Sequence, residues 1–396
     1  MHRKTRIVLI ACLFTAFSSG ISSDENPDAL FRSALETAQH KLRQALNELP
    51  DTTRFPVSTN PDGTWKTAES DDWRSGFFSG CLWKMAAWTK DPFWKIRAER
   101  WTAGLEKEKA NKGTHDLGFM MFLSFGNGYL LTQNARYKDV LLESAASLAS
   151  RYNPATGCIK SWDFMGTDRY PVIIDNMMNL ELLFWASRNG GRKEYRDICL
   201  SHAANTIQNH MRVDGSTFHV VFYDPRKGGV VDRKTHQGFA DNSTWARGQA
   251  WGLYGFTETY RETKDRRFLE TARKMADRFL ARLPDDCVAY WDFDAPGIPN
   301  EPRDASAAAI AASGLFELST FVQDPKDRQR YWNAGMNILK SLASPRYLSV
   351  NTKTNAILLH ATGHKPANRE VDVSLIYGDY YFVEALMRYF QWSANR

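Results

Sequence analysis

At 396 residues, 43% hydrophobic and 13% aromatic, the chain can bury one large core or two ordinary ones, and it is too apolar to be disordered. Its formal charge is +6, of which Arg3, Lys4 and Arg6 carry three with no acid before residue 21, so residues 21–396 stand at +3. That weak surplus comes with no basic tract, no C-x-x-C or Cys/His ligand spacing and no later run of about 20 apolar residues, which argues against a nucleic-acid reader, a Cys-ligated metal site and a further membrane span.

The first 20 residues read as a secretory signal: a basic start, an apolar run from Ile7 to Phe17, then Ser18, Ser19 and Gly20. Export, with the periplasm as destination, is the expectation. Leu9-Ile10-Ala11-Cys12 also resembles a lipoprotein box, so anchoring through Cys12 stays open. From Pro27 onward the periodicity predicts about twelve helices and almost no strand. The first, near Asp28 to Leu49, carries Phe31, Leu35, Ala38, Leu42 and Ala45 on one stripe with charges opposite. The second, near Trp73 to Thr89, is almost free of charge. The alternation continues: KIRAERW, RYKDV, KEYRD, DRRFLE and KDRQRYW head charged amphipathic helices, whereas HDLGFMMF, DNMMNLELLF, STWARGQAWGLYGF, DASAAAIAASGLF and VDVSLIYGDYYF head segments apolar all round. A helix apolar on every side needs neighbours on every side, so six outer-inner pairs predict a single all-α double ring, residues 21–396 forming one domain. Cys81, Cys158, Cys199 and Cys287 are read as core thiols, without an assignable disulfide.

The long connections all lead from an outer to an inner helix (50–72, 153–174, 214–243, 283–304 and 344–371), so they gather on the face where inner helices begin; long loops tend to carry function. Asp72, Asp116, Asp175, Asp241, Asp304 and Asp372 stand at or just before inner helices. Asp is a favoured N-cap, and capping is the expected role of most of the six. Six N-termini aimed into one mouth would also favour an anionic ligand.

Three clusters carry chemistry: His115-Asp116, Trp162 followed by Asp175, and His236-Gln237 followed by Trp245-Ala246-Arg247-Gly248-Gln249-Ala250-Trp251. Aromatic faces pack on sugar rings, and Arg grips a carboxylate through two parallel N–H bonds. Arg247 and Trp251, four apart, share a helix face. Asp116 and Asp175, brought close on adjacent inner helices, would raise one apparent pKa and leave a protonated acid near neutrality. The residues alone reach a carboxylate-dependent carbohydrate enzyme.

HDLGF, IIDNMMNLELLFWAS and HQGFADNSTWARGQAWGLYGF together resemble the unsaturated glucuronyl hydrolases of glycoside hydrolase family 88, over nearly the whole chain. The resemblance implies an (α/α)6 barrel that hydrolyses the unsaturated uronyl oligosaccharides left by polysaccharide lyases, with no metal or organic cofactor. It implies that Asp175 protonates C4 of the C4=C5 double bond and that Asp116 is the second essential carboxylate. His115, Trp162, His219, Gln237, Arg247 and Trp251 match substrate-contacting positions. The chain departs from relatives that accept sulfated glycosaminoglycans in the loop ATGHKPANREVD. There His364, Lys365 and Arg369, or alternatively Arg226, Lys227, Arg233 and Lys234, are either ligands for sulfate or uronate or a solvated surface. Three rivals remain: an unsaturated rhamnogalacturonyl hydrolase on pectin fragments, a sugar 2-epimerase relying on paired histidines, and a non-catalytic glycan-binding lipoprotein.

Overall fold

The computed structural model describes residues 26–166 and 168–394, so the expected signal segment, Cys12 included, lies outside the described residues. Twelve helices run in chain order as α1 (Pro27–Glu48), α2 (Ser75–Thr89), α3 (Pro92–Ala103), α4 (Asn127–Thr132), α5 (Ala135–Ala149), α6 (Leu180–Arg188), α7 (Glu194–Asn209), α8 (Ala246–Thr263), α9 (Arg266–Leu280), α10 (Ala305–Phe321), α11 (Pro325–Leu342) and α12 (Ile376–Ser393). Odd numbers form the outer ring and even numbers the inner one. Two inner helices have irregular starts: a π-helical stretch, Gly118–Gly126, leads into α4, and a 3-10 turn, Ile174–Asn179, leads into α6. Each inner helix packs on the next, and α12 touches both α10 and α2, which closes an (α/α)6 barrel.

Burial follows the charge pattern. On α1 the predicted stripe Phe31, Leu35, Ala38, Leu42 and Ala45 is buried, and its large members contribute ~1.5–3 kcal/mol each. Every residue of α10 from Ala305 to Ser319 is buried, as expected of a helix walled in by α8, α12 and α11. Its small residues permit close approach: a Cβ built on Gly314 would lie 2.4 Å from Leu253 Cδ2.

Helix starts separate the two rings. Outer helices α1, α3, α5, α9 and α11 are each capped by an Asn or Asp side chain (Asn26, Asp91, Asn134, Asp265, Asp324) accepting a first-turn N–H. Among inner helices only α10 has such a cap, Asp304. Capping therefore accounts for one of the six acids, not for most of them. Asp72 instead binds Arg74, Asp241 holds the Thr235 N–H and Lys234, and Asp372 pairs with His360. Asp116 and Asp175 cap nothing.

The long loops contain strands that the periodicity did not predict: β1 (Phe55–Thr59) with β2 (Trp65–Ala68), β3 (Tyr152–Asn153) with β4 (Cys158–Ile159), and the antiparallel sheet β5 (Tyr170–Ile173), β6 (Val220–Tyr223), β7 (Val230–Lys234). They span two to five residues, too few for alternation to register. YPVI and VVFY are moreover buried throughout. The β5–β6 pair is what delivers Asp175, since Ile174 N–H bonds His219 O across its end at 3.0 Å. Cys81, Cys158 and Cys199 are buried free thiols and Cys287 is half-buried and free. No described helix is long and apolar enough to cross a membrane.

Candidate active site

Asp175 opens the 3-10 turn that β5 feeds, and its residue is 9% exposed. Burial pushes its carboxyl up to about 7; Arg247 opposes the rise and the neighbouring Asp116 adds to it. Its Oδ2 has no hydrogen-bond partner among the described residues. The Trp251 indole N–H also favours the charged form, although it stays outside ordinary hydrogen-bond reach and is itself without a partner.

His219, immediately before β6 and close to Asp175, fixes the polarity of this corner. Its Nδ1 accepts the backbone N–H groups of His236 (3.2 Å) and Gln237 (3.3 Å), and burial drives its pKa well below the usual histidine value. A neutral imidazole that accepts at Nδ1 carries its proton on Nε2. That N–H stands 3.9 Å from Asp175 Oδ2. Next to the acid there is thus a buried donor with no acceptor among the described residues.

Asp116 is held from three sides. Thr114 Oγ1 lies 3.2 Å from Oδ2, Asn179 Nδ2 lies 3.4 Å from Oδ1, and His115 Nε2 is 3.4 Å from Oδ1. Asn179, at the end of the turn that holds Asp175, ties that turn to the Asp116 stretch, because its Oδ1 also accepts the Phe119 N–H at 3.0 Å. Gly118 makes room for it: a Cβ there would meet Asn179 Cα at 2.5 Å. His115 is fully enclosed, and burial lowers its pKa.

Arg247 is 1% exposed. It ion-pairs with Asp304, donates from Nη1 to Thr362 O and from Nη2 to Gly363 O, both at 2.6 Å, and lies over the Trp245 ring at 4.5 Å. The sequence assigned this fork to a substrate carboxylate; its hydrogen bonds go instead to α10's cap and the last long loop. Arg247, Trp251 and His115 stand behind the acids, while Trp162 and Gln237 reach the surface of a cavity of about 490 Å³, within the ~300–1,000 Å³ usual for small-molecule sites.

Trp73, Arg74, His236, His364, Arg369 and Tyr377 also line that cavity, and so do Lys66, Phe164 and Glu370. Asp175 sits one side chain away from this lining: His219 is bonded to His236 and Gln237, and Arg247 to Gly363, all on the cavity wall. Of the basic candidates, His364 and Arg369 line the cavity. Arg233 instead donates to Asn209 O and Lys234 pairs with Asp241, and neither they nor Arg226, Lys227 or Lys365 line it. Among the described residues no His, Cys, Asp or Glu cluster has the arrangement of a metal site.

Sequence reading missed Asn179, Asp304's pairing with Arg247, and the Lys66, Trp73, Arg74, Phe164 and Tyr377 walls. Asn179 had a signal, standing four residues after Asp175 at the same helix start. Trp73 and Arg74 directly follow Asp72. Phe164 and Lys66 had none.

The Glycosyl Hydrolase Family 88 profile matches residues 45–329. An unsaturated glucuronyl hydrolase of Formosa agariphila is 43% identical over 357 residues, 88% of each chain. A crystal structure of an unsaturated glucuronyl hydrolase specific for heparin superposes with a TM-score of 0.89 at 42% identity, covering 93% of this chain and 98% of the other. An unsaturated chondroitin disaccharide hydrolase of Streptococcus agalactiae is 31% identical over 94% of this chain and 96% of its own.

Proposed function

The chain belongs to glycoside hydrolase family 88 and acts on unsaturated glucuronyl oligosaccharides; from that premise we infer how its residues carry the reaction. The carrying observation is a carboxyl buried next to a basic, aromatic cavity and kept protonated up to about pH 7. A proton donor of that strength is what a vinyl ether needs near neutrality. Asp175 gives its proton to C4 as the C4=C5 π electrons form the C–H bond, which leaves positive charge shared by C5 and the ring oxygen. Water adds at C5 and returns a proton to the Asp175 carboxylate. The resulting hemiketal opens, breaking the bond between C5 and the ring oxygen, and the C1 hemiacetal so exposed expels the downstream sugar. No displacement occurs at the anomeric carbon, so the two-carboxylate spacing rule of ordinary glycosidases does not apply.

Asp116 accepts from sugar hydroxyls and adds to the burial that keeps Asp175 protonated. The Nε2–H of His219 and the indole N–H of Trp251, both buried without partners, are donors for substrate oxygens; an unmade buried hydrogen bond is costly, so a ligand that makes it gains. Arg247 contributes its field and holds the 362–363 backbone at the mouth. The histidines count against a 2-epimerase, because burial lowers the pKa of His115 and drives that of His219 well below the usual histidine value, which disfavours a paired-histidine shuttle.

For the parent polymer, heparin-type fragments are the reading best supported. The likeness to the heparin-specific structure is stronger than to the chondroitin-disaccharide enzyme, and Lys66, His364 and Arg369 line the mouth. The basic and apolar segment at 1–20 supports export. The test is incubation with lyase-generated disaccharides of heparin and chondroitin type, sulfated and not, following loss of the alkene's ultraviolet absorbance and release of the downstream sugar. An alkene left intact on every substrate refutes the mechanism, and faster turnover of chondroitin units refutes the polymer assignment.

A further inference from the structure

The cavity has a wall that the reaction above does not use. Phe164 is 70% exposed, yet its ring stacks on Trp162 with centroids 5.3 Å apart and planes at 28°. Trp162 in turn meets His219 edge-on at 6.0 Å, and His219 Nε2 lies 3.9 Å from Asp175 Oδ2. A run of rings therefore leads from the acid outward: His219, Trp162, Phe164. Asp175 works at C4 of the terminal uronate, and the bond to be released leaves from C1, on the far side of that ring. The released sugar consequently lies further along the same run, and a flat, exposed aromatic face is suited to the apolar side of a pyranose.

Lys66, on β2, lines the same cavity. It is exposed and has no carboxylate within ion-pair distance among the described residues, unlike Arg74, which Asp72 and Glu370 both engage. Its charge is free for an anionic group.

Resting on the function given above, we propose that Phe164 and Lys66 are the residues that choose the released sugar, Phe164 by stacking on its ring and Lys66 by pairing with an anionic substituent such as sulfate. The test uses the full chain and three substrates: the methyl glycoside of the unsaturated uronate, an unsulfated unsaturated disaccharide, and the same disaccharide sulfated on the sugar to be released. In Phe164→Ala the preference for disaccharide over methyl glycoside, as a ratio of kcat/KM, falls about fivefold, through KM with kcat kept, and Phe164→Trp restores it. In Lys66→Ala the preference for the sulfated over the unsulfated disaccharide falls about threefold, and added salt erases the difference between variant and wild type. Unchanged ratios in both variants overturn this assignment alone. A wild-type chain inert towards all three substrates overturns the parent reading and this one with it.

Discussion

Replacing Asp175 by Asn separates what the acid does for catalysis from what it costs the fold. The rise of its pKa from 3.8 to about 7 corresponds to on the order of 4 kcal/mol, each tenfold change in proton affinity being ~1.36 kcal/mol. The sign follows from linkage. Below pH 4 the carboxyl is protonated in both folded and unfolded chains and contributes no pH dependence. Between pH 4 and 7 the unfolded chain gains by ionising while the folded one cannot, so stability declines. Above pH 7 the full penalty is in place. Asn is neutral throughout and, since Asp175 caps no helix, loses no cap. The variant should therefore hold an advantage of only ~1.5 kcal/mol at pH 5, and melt higher than wild type at pH 9 by the full ~4–8 °C for a chain of this size. Its kcat on an unsaturated disaccharide should fall ~10²–10⁴-fold between pH 5 and 7, the worth of a positioned general acid, and the gap should narrow at pH 9, where wild type has lost the same proton. Thermal melts at pH 5, 7 and 9, paired with rates of absorbance loss, give both quantities. Equal melting at pH 9 refutes the burial argument, and retention of more than about a tenth of the activity removes Asp175 as donor.

Wild-type kcat/KM should decline above pH 7 as Asp175 loses its proton; a rate still rising from pH 7 to 9 would contradict that. Asn179→Ala frees both the Phe119 N–H and Asp116, which should lower stability by ~1–3 kcal/mol and kcat about tenfold, read by denaturant melts and initial rates. Asp304→Asn keeps a capping oxygen but leaves the Arg247 charge buried without its counter-ion, a loss of ~3–5 kcal/mol; a variant as stable as wild type would mean that the carbonyls of Thr362 and Gly363 suffice. Gly118→Ala drives a methyl against the Asn179 backbone and should reduce activity more than Gly113→Ala, where the added Cβ meets only the Asn111 side chain at 3.3 Å.

The ring architecture was legible because it is written in periodicity: α9 alternates Phe268, Ala272, Met275 and Phe279 with charges, and α10 has no polar face. Asp116 and Asp175 were legible because an acid at the start of an apolar helix is conspicuous. Whether they cap was not. Whether such an acid caps depends on the dihedral path of the chain into the helix, and here β5 and the π-helical stretch bring both in without the capping geometry. Arg247 was recognised as a buried charge with work to do, but its partners Asp304, Thr362 and Gly363 are 57 to 116 residues away, and no local pattern announces them. The β5–β6 pairing was invisible for a related reason, since it joins two separate long loops, whereas the local hairpins were simply too short for alternation to register.

The route of the chain through this ring sets when the protein can act. Residues 362–377 furnish the carbonyls that grip Arg247 and the His364 to Tyr377 side of the mouth, and α12 is the stave between α10 and α2. A chain delivered only as far as α11 has both acids and the whole aromatic run, yet the guanidinium of Arg247 is held by Asp304 alone and the barrel gapes. Competence therefore depends on the segment that follows α11, and a product clipped or stalled before it should be inert rather than merely slow.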